Sequence, residues 1–106
     1  MIRFIQFIFV FFPIFLFSQT FTISGYVEDL ESGEKLISAY VYDTKSGKGA
    51  VTNTYGFYSL TLPRDSVLLN ISYIGYTPVL QRIFLNKNMV ANFRLTSSVL
   101  LKEIEI

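Results

Sequence analysis

The chain has 106 residues, a net charge of +1, 51% hydrophobic residues, and neither cysteine nor histidine. That length suits one domain, and so small a charge gives no bulk attraction to nucleic acid or to an anionic membrane. Disulfides, thiol nucleophiles, the commonest general base and a common transition-metal ligand are all missing, so catalysis has little to build on.

The chain opens with "MIRFIQFIFVFFPIFLFSQT", in which Arg3 is the one charge before Glu28. A positive start, a short apolar core and a small residue at the cut are the order of a secretory signal peptide. The core has roughly 14 apolar residues, short of the ~20 that a membrane span needs. The expectation is export, with residues 1–18 removed by cleavage between Ser18 and Gln19. Arg3 leaves with them, so nine basic residues become eight against eight acidic ones, and the mature net charge is zero. A strongly basic nucleic-acid module is thereby excluded.

Beyond residue 19 no helical period is sustained, and alternation recurs instead. In "TFTISGYVED", Phe21, Ile23 and Val27 face one way, and Thr20, Thr22, Ser24 and Tyr26 the other. The glycine turn "LESGEK" comes next. In "ISAYVYD", Ile37, Ala39 and Val41 are expected inward, and Ser38, Tyr40 and Tyr42 outward. "TKSGKG" is a second turn, with Gly47 and Gly49 able to take positive φ. Val51 and Thr52 close a short strand, and "NTYG" turns the chain, Asn53 and Gly56 both tolerating left-handed geometry. Tyr58, Leu60 and Leu62 then point in, Ser59 and Thr61 out, until Pro63 ends the strand because it cannot donate to a ladder. Arg64 and Asp65 are read as a turn. "VLLNISYIG" puts Leu69, Ile71 and Tyr73 on one face, and Gly75 breaks it. "PVLQRIFL" and "MVANFRL" are two further strands, the latter with Met89, Ala91, Phe93 and Leu95 inward.

About seven short strands with turns every 8–12 residues predict an all-β fold, a small antiparallel β-sandwich preceded by a signal peptide. The expected core includes Ile23, Val27, Val41, Tyr58, Leu60, Ile71 and Phe93.

Taken in order, "ISGYVED", "SGEKLISAYVYD", "GAVTNTYGFYSLTLP" and "ISYIGY" resemble the carboxypeptidase-regulatory-like domain at the N-terminus of Bacteroidetes TonB-dependent outer-membrane receptors. The likeness covers roughly residues 20–96. It implies a transthyretin-like β-sandwich over residues 19–98, in keeping with the strand pattern. The family pattern often has Asp where this chain has Asn53. The resemblance further implies a non-catalytic periplasmic accessory module of a nutrient receptor, from a truncated or split gene. Its partners would be proteins, either the receptor's plug and barrel or the periplasmic energy-transducing protein, and membrane association would come only through the larger receptor. It implies no cofactor, no nucleic acid and no small-molecule substrate. The alternative is a free-standing secreted or periplasmic binding module.

After "RLTSS" the chain continues as Val99, Leu100, Leu101, Lys102, Glu103, Ile104, Glu105 and Ile106. Residues 99–106 are expected to leave the sandwich as an extended tail. In the resembled receptors a similar segment leads toward the TonB box, so Leu101 to Ile106 are the candidate partner-binding residues. An extended segment can add as a strand to the edge of another sheet.

Other features favour plain readings. Glu28, Asp29, Glu31 and Glu34 cluster as calcium ligands would, but lack the ligand order of a calcium loop and have Lys35 beside them. They are read as a solvated turn. "NIS" at 70–72 matches a glycosylation acceptor but lies within an expected strand. Tyr26, Tyr40 and Tyr42 form either a contact patch or ordinary cross-strand pairs. Ser59 and Thr61 have no histidine to activate them.

Overall fold

A computed structural model describes residues 19–98. The expected cleavage residue Ser18 and the expected tail residues Leu101, Lys102, Glu103, Ile104, Glu105 and Ile106 lie outside the described residues.

Two sheets face each other. The first has the order β4 (Phe57–Pro63), β1 (Thr20–Asp29), β7 (Met89–Val90), with β8 (Phe93–Leu95) also on β1. The second has the order β3 (Gly49–Val51), β2 (Tyr40–Asp43), β5 (Asp65–Ser72), β6 (Val79–Leu85). The seven expected core residues are all buried, and Leu36, Ala39, Leu62, Val67, Leu69, Leu85 and Leu95 join them. Alternate residues of both sheets thus meet in one core, as in a sandwich. The Tyr58 ring lies inside this core, and its hydroxyl donates to the Ala91 carbonyl at 2.6 Å. Burial pushes that hydroxyl's pKa up.

β4 keeps closely to its sequence pattern. Tyr58, Leu60 and Leu62 are buried and Ser59 and Thr61 exposed. The strand pairs antiparallel with β1, from Thr20 opposite Pro63 to Tyr26 opposite Phe57. Gly56, at φ 74°, starts it.

Several expectations need correcting. Ile37 is 46% exposed, and Leu36 takes its place in the core. Ser38 adopts φ 71°, which breaks the alternation, so β2 begins only at Tyr40. Thr52 clamps this bend: its hydroxyl donates to the Leu36 carbonyl at 2.5 Å and accepts from the Ala39 N–H at 2.8 Å. Gly49 does not have positive φ, whereas Gly47 does. A Cβ at Gly49 would sit 2.6 Å from the Tyr42 Cβ and 2.7 Å from the Tyr40 ring, so this glycine makes room for tyrosines. Asn53 turns the chain without left-handed backbone, its Oδ1 accepting from the N–H groups of Tyr55 (2.8 Å) and Phe57 (3.1 Å). Asp65 is already in β5, leaving Arg64 alone between β4 and β5.

The expected last strand is two, and both run parallel to β1. β6 comes down one side of the sandwich, and the chain crosses to the first sheet and climbs back alongside β1. Ala91 and Asn92 interrupt the climb. Here Gly25 is required, because a Cβ on it would fall 2.0 Å from the Ala91 carbonyl oxygen. Two asparagines complete the ladder with side-chain amides: Asn88 Oδ1 accepts from the Thr22 N–H at 2.9 Å, and Asn92 Oδ1 from the Tyr26 N–H at 2.8 Å.

β1 runs the length of the sandwich. At its start Gln19 lies beside the end of β4 and accepts from the Arg64 N–H at 3.0 Å. At its far end Asp29 pairs with Leu95. The chain therefore enters the domain at one pole and leaves at the other.

Candidate functional site

The leaving pole is built by three segments: the end of β1, the end of β8 and the 73–77 loop that contains "YIGYT". Gly75, at φ 85°, lets this loop fold back. Thr77 N–H donates to Thr96 O (2.9 Å), and both the N–H and the hydroxyl of Ser98 donate to Gly75 O at 2.9 Å. Tyr76 and Ser97 form an antiparallel bridge. The last described residues are therefore held by main-chain bonds to this loop. Ile74 at its tip is 89% exposed, and Leu30, just past β1, is half exposed.

A side-chain bond ties the loop to β1. The Tyr76 hydroxyl donates to Asp29 Oδ2 at 2.6 Å, while Asp29 Oδ1 accepts from the N–H groups of Glu31 (2.8 Å) and Ser32 (2.9 Å). The Tyr76 hydroxyl, followed by the Ser32 N–H, holds the Asp29 carboxyl below the usual carboxylate range. Conversely, the Asp29 carboxylate pushes the Tyr76 phenol up to about 12. The Tyr73 and Tyr76 rings pack with centroids 5.4 Å apart.

The acidic cluster dissolves into such local roles. Glu28 is paired to Lys35, whose bond is the first cause of its lowered pKa, and it also lies 3.8 Å from the Arg94 Nε. Asp29 shapes the turn. Among the described residues no three His, Cys, Asp or Glu gather as metal donors.

The three outward tyrosines do not form one patch. Tyr26 is on the first sheet, edge-on to Phe57 (5.2 Å) and under the Lys35 ammonium (4.7 Å). Tyr40 and Tyr42 are on the second sheet, stacked on each other at 4.8 Å over Gly49. Asn70 of "NIS" lies within β5. Ser59 and Thr61 lie on the outer face of β4, and Thr61 shares a hydroxyl hydrogen bond with Thr22 at 2.8 Å.

A depression of about 250 Å³ lies at the entering pole, lined by Asp43, Lys45, Ser46, Leu62, Pro63, Asp65 and Val67. Its polar groups are already engaged. Burial raises the Asp43 pKa, but the Ser46 hydroxyl and the turn N–H groups outweigh it and hold the carboxyl low. Lys45 faces Asp65 at 3.5 Å.

The motif "SYIGY" is visible in the sequence, but the function of its second tyrosine is not. Asp29 and Tyr76 are 47 positions apart, and no short-range signal links them.

A family model for the CarboxypepD_reg-like domain matches residues 23–106. No curated protein matches the chain. Among solved structures, a type II cohesin–X-dockerin complex from Acetivibrio cellulolyticus is similar at TM-score 0.62 and 15% identity, over 69% of this chain and 52% of that one. A DUF3823 family protein from Parabacteroides merdae aligns at TM-score 0.58 and 13% identity, over 76% of this chain and 48% of that one. One from Bacteroides ovatus aligns at 0.55 and 15%, over 74% and 45%. The chain spans about half the length of these structures, and the likeness is one of fold.

Proposed function

The chain belongs to the carboxypeptidase regulatory-like domain family, and on that premise we propose that it is a non-catalytic periplasmic accessory module of a TonB-dependent outer-membrane nutrient receptor. The observation that carries this reading is the polarity of the fold. Gln19 lies at one end of β1, and Ser98 is bonded to Gly75 at the other. With residues 1–18 removed, the pole built on the 73–77 loop is the one from which the chain continues, so that is the pole the module presents to the rest of the receptor. The family match continues through residue 106, so the segment beyond Ser98 belongs to the family pattern too. In the receptor reading, that segment leads toward the site where the energy-transducing protein engages. The apolar start with Arg3 supports export.

Envelope fractionation and intact mass of the protein from its native host test this. The expected result is a species beginning near Gln19, recovered with the outer membrane in association with a β-barrel receptor. A cytoplasmic species retaining residues 1–18 would overturn export. A processed but free protein in the periplasm or medium would replace the receptor module with a free-standing binding module.

A further inference from the structure

The second sheet ends in β6, which β5 pairs along one side and which no described strand pairs along the other. A free edge is a row of unpaired main-chain donors and acceptors, and folds blunt it with short strands, bulges, proline, lysine or inward charges. β6 has none of these. It is seven residues long, "VLQRIFL", and its register with β5 runs unbroken from Val79 to Leu85. The other margins differ. β3 has three residues, and β7 and β8 have two and three with a break between them. β4 is as long as β6, but its inward Tyr58, Leu60 and Leu62 are buried. On β6 the inward Val79 and Ile83 pack against the core yet stay half buried, and Gln81 between them is exposed. The core thus lacks a covering row along this one edge.

The outward face of β6 says what the covering row must carry. Leu80 (60% exposed) and Phe84 (53% exposed) flank Arg82, and among the described residues Arg82 makes no ion pair. Its cross-strand neighbour on β5 is Leu68, and no outward position of β2, β5 or β6 carries a carboxylate. A second copy of β6 fits poorly. Antiparallel self-pairing along the whole of Val79–Leu85 centres on residue 82 and sets Arg82 against Arg82, and like charges directly opposite each other destabilise a pair. The β4 edge of a second copy would bring Ser59 and Thr61 on its outward face, which leave the guanidinium without a counter-charge. Arg82 therefore repels the chain's own strand and favours a foreign one that brings an acid.

We propose that the β6 edge accepts an extended segment of another protein as an added antiparallel strand. A carboxylate of that segment lies opposite Arg82, and apolar side chains lie opposite Leu80 and Phe84 outward and opposite Val79 and Ile83 inward. Along the segment the positions read apolar, apolar, acidic, polar, apolar, apolar. Main-chain hydrogen bonds supply the affinity, and the side-chain row supplies the selection. The site needs only the folded sandwich, so it goes beyond the receptor reading and does not depend on it.

Titration of an isotopically labelled chain from Gln19 to Ile106, which contains every strand of the sandwich, tests the proposal. The probes are two capped synthetic peptides, Leu-Ile-Glu-Thr-Phe-Val and the same peptide with Lys in place of Glu. The first is expected to shift the amide signals of β6 and of its β5 neighbours saturably, with β4 unmoved. The second is expected to need about fivefold more peptide for the same shift. Arg82→Glu, at an exposed position, is expected to reverse that preference. No β6 shift with either peptide, an equal response to both, or a preference unchanged in Arg82→Glu would overturn the proposal. So would β6 shifts that grow with protein concentration alone, which would mean that a second copy takes the edge.

Discussion

The bond between Tyr76 and Asp29 is one hydroxyl and one carboxylate, yet it joins the leaving loop to the strand that spans the domain. It needs Asp29 ionised and Tyr76 neutral. Because the Asp29 pKa is lowered on folding, its contribution is present above the unfolded carboxylate range near ~4 and fades as pH falls through the lower folded value. The Tyr76 pKa is raised, so its contribution is present below ~10 and is lost as pH rises toward about 12. Tyr76→Phe is therefore expected to lower the denaturant midpoint at neutral pH and to flatten its fall on acidification. Urea midpoints between acid and neutral pH check this. A variant with an acid limb as steep as the parent's would show that the bond is not formed in solution. Thr52 makes the same point about what a sequence hides. It reads as the end of a short strand, but its hydroxyl serves both the Leu36 carbonyl and the Ala39 N–H, 16 and 13 positions away.

Among the elements, β4 was the most legible. Its alternation is strict and its ends are punctuated by Gly56 and Pro63, so period and breakers agree. Leu60→Ala should cost about 2–5 kcal/mol, as for other buried leucines. Ser59→Ala, one residue away on the outer face, should stay within about 0.5 kcal/mol. Chemical denaturation of the pair tests the inward face directly, and equal midpoints would contradict it. Two other elements were not legible for physical reasons. Around residues 36–39 the left-handed Ser38 shifts the inward position from Ile37 to Leu36, and serine carries no obligatory signal for that backbone. In β7 and β8 the alternation correctly placed Met89, Phe93 and Leu95, but alternation is the same in parallel and antiparallel strands. The break at Ala91 and Asn92 depends on close approach to Gly25, a partner 66 residues back.

At the scale of the whole molecule, the seven core residues read from the pattern all meet inside one sandwich, since alternate burial is a property of each strand alone. The leaving pole was legible only as a motif, because its bonds join β1, the 73–77 loop and Ser98 across the full chain. The proposed receptor module presents that pole to the receptor. A photo-crosslinking residue in place of Ile74, 89% exposed at the tip of the pole, tests this most directly in the native host, with Lys87 in the loop at the opposite pole as the comparison site. An adduct is expected between position 74 and an outer-membrane β-barrel receptor, and a much weaker one from position 87. Uncrosslinked protein free in the periplasm, or equal adducts from both positions, would contradict it.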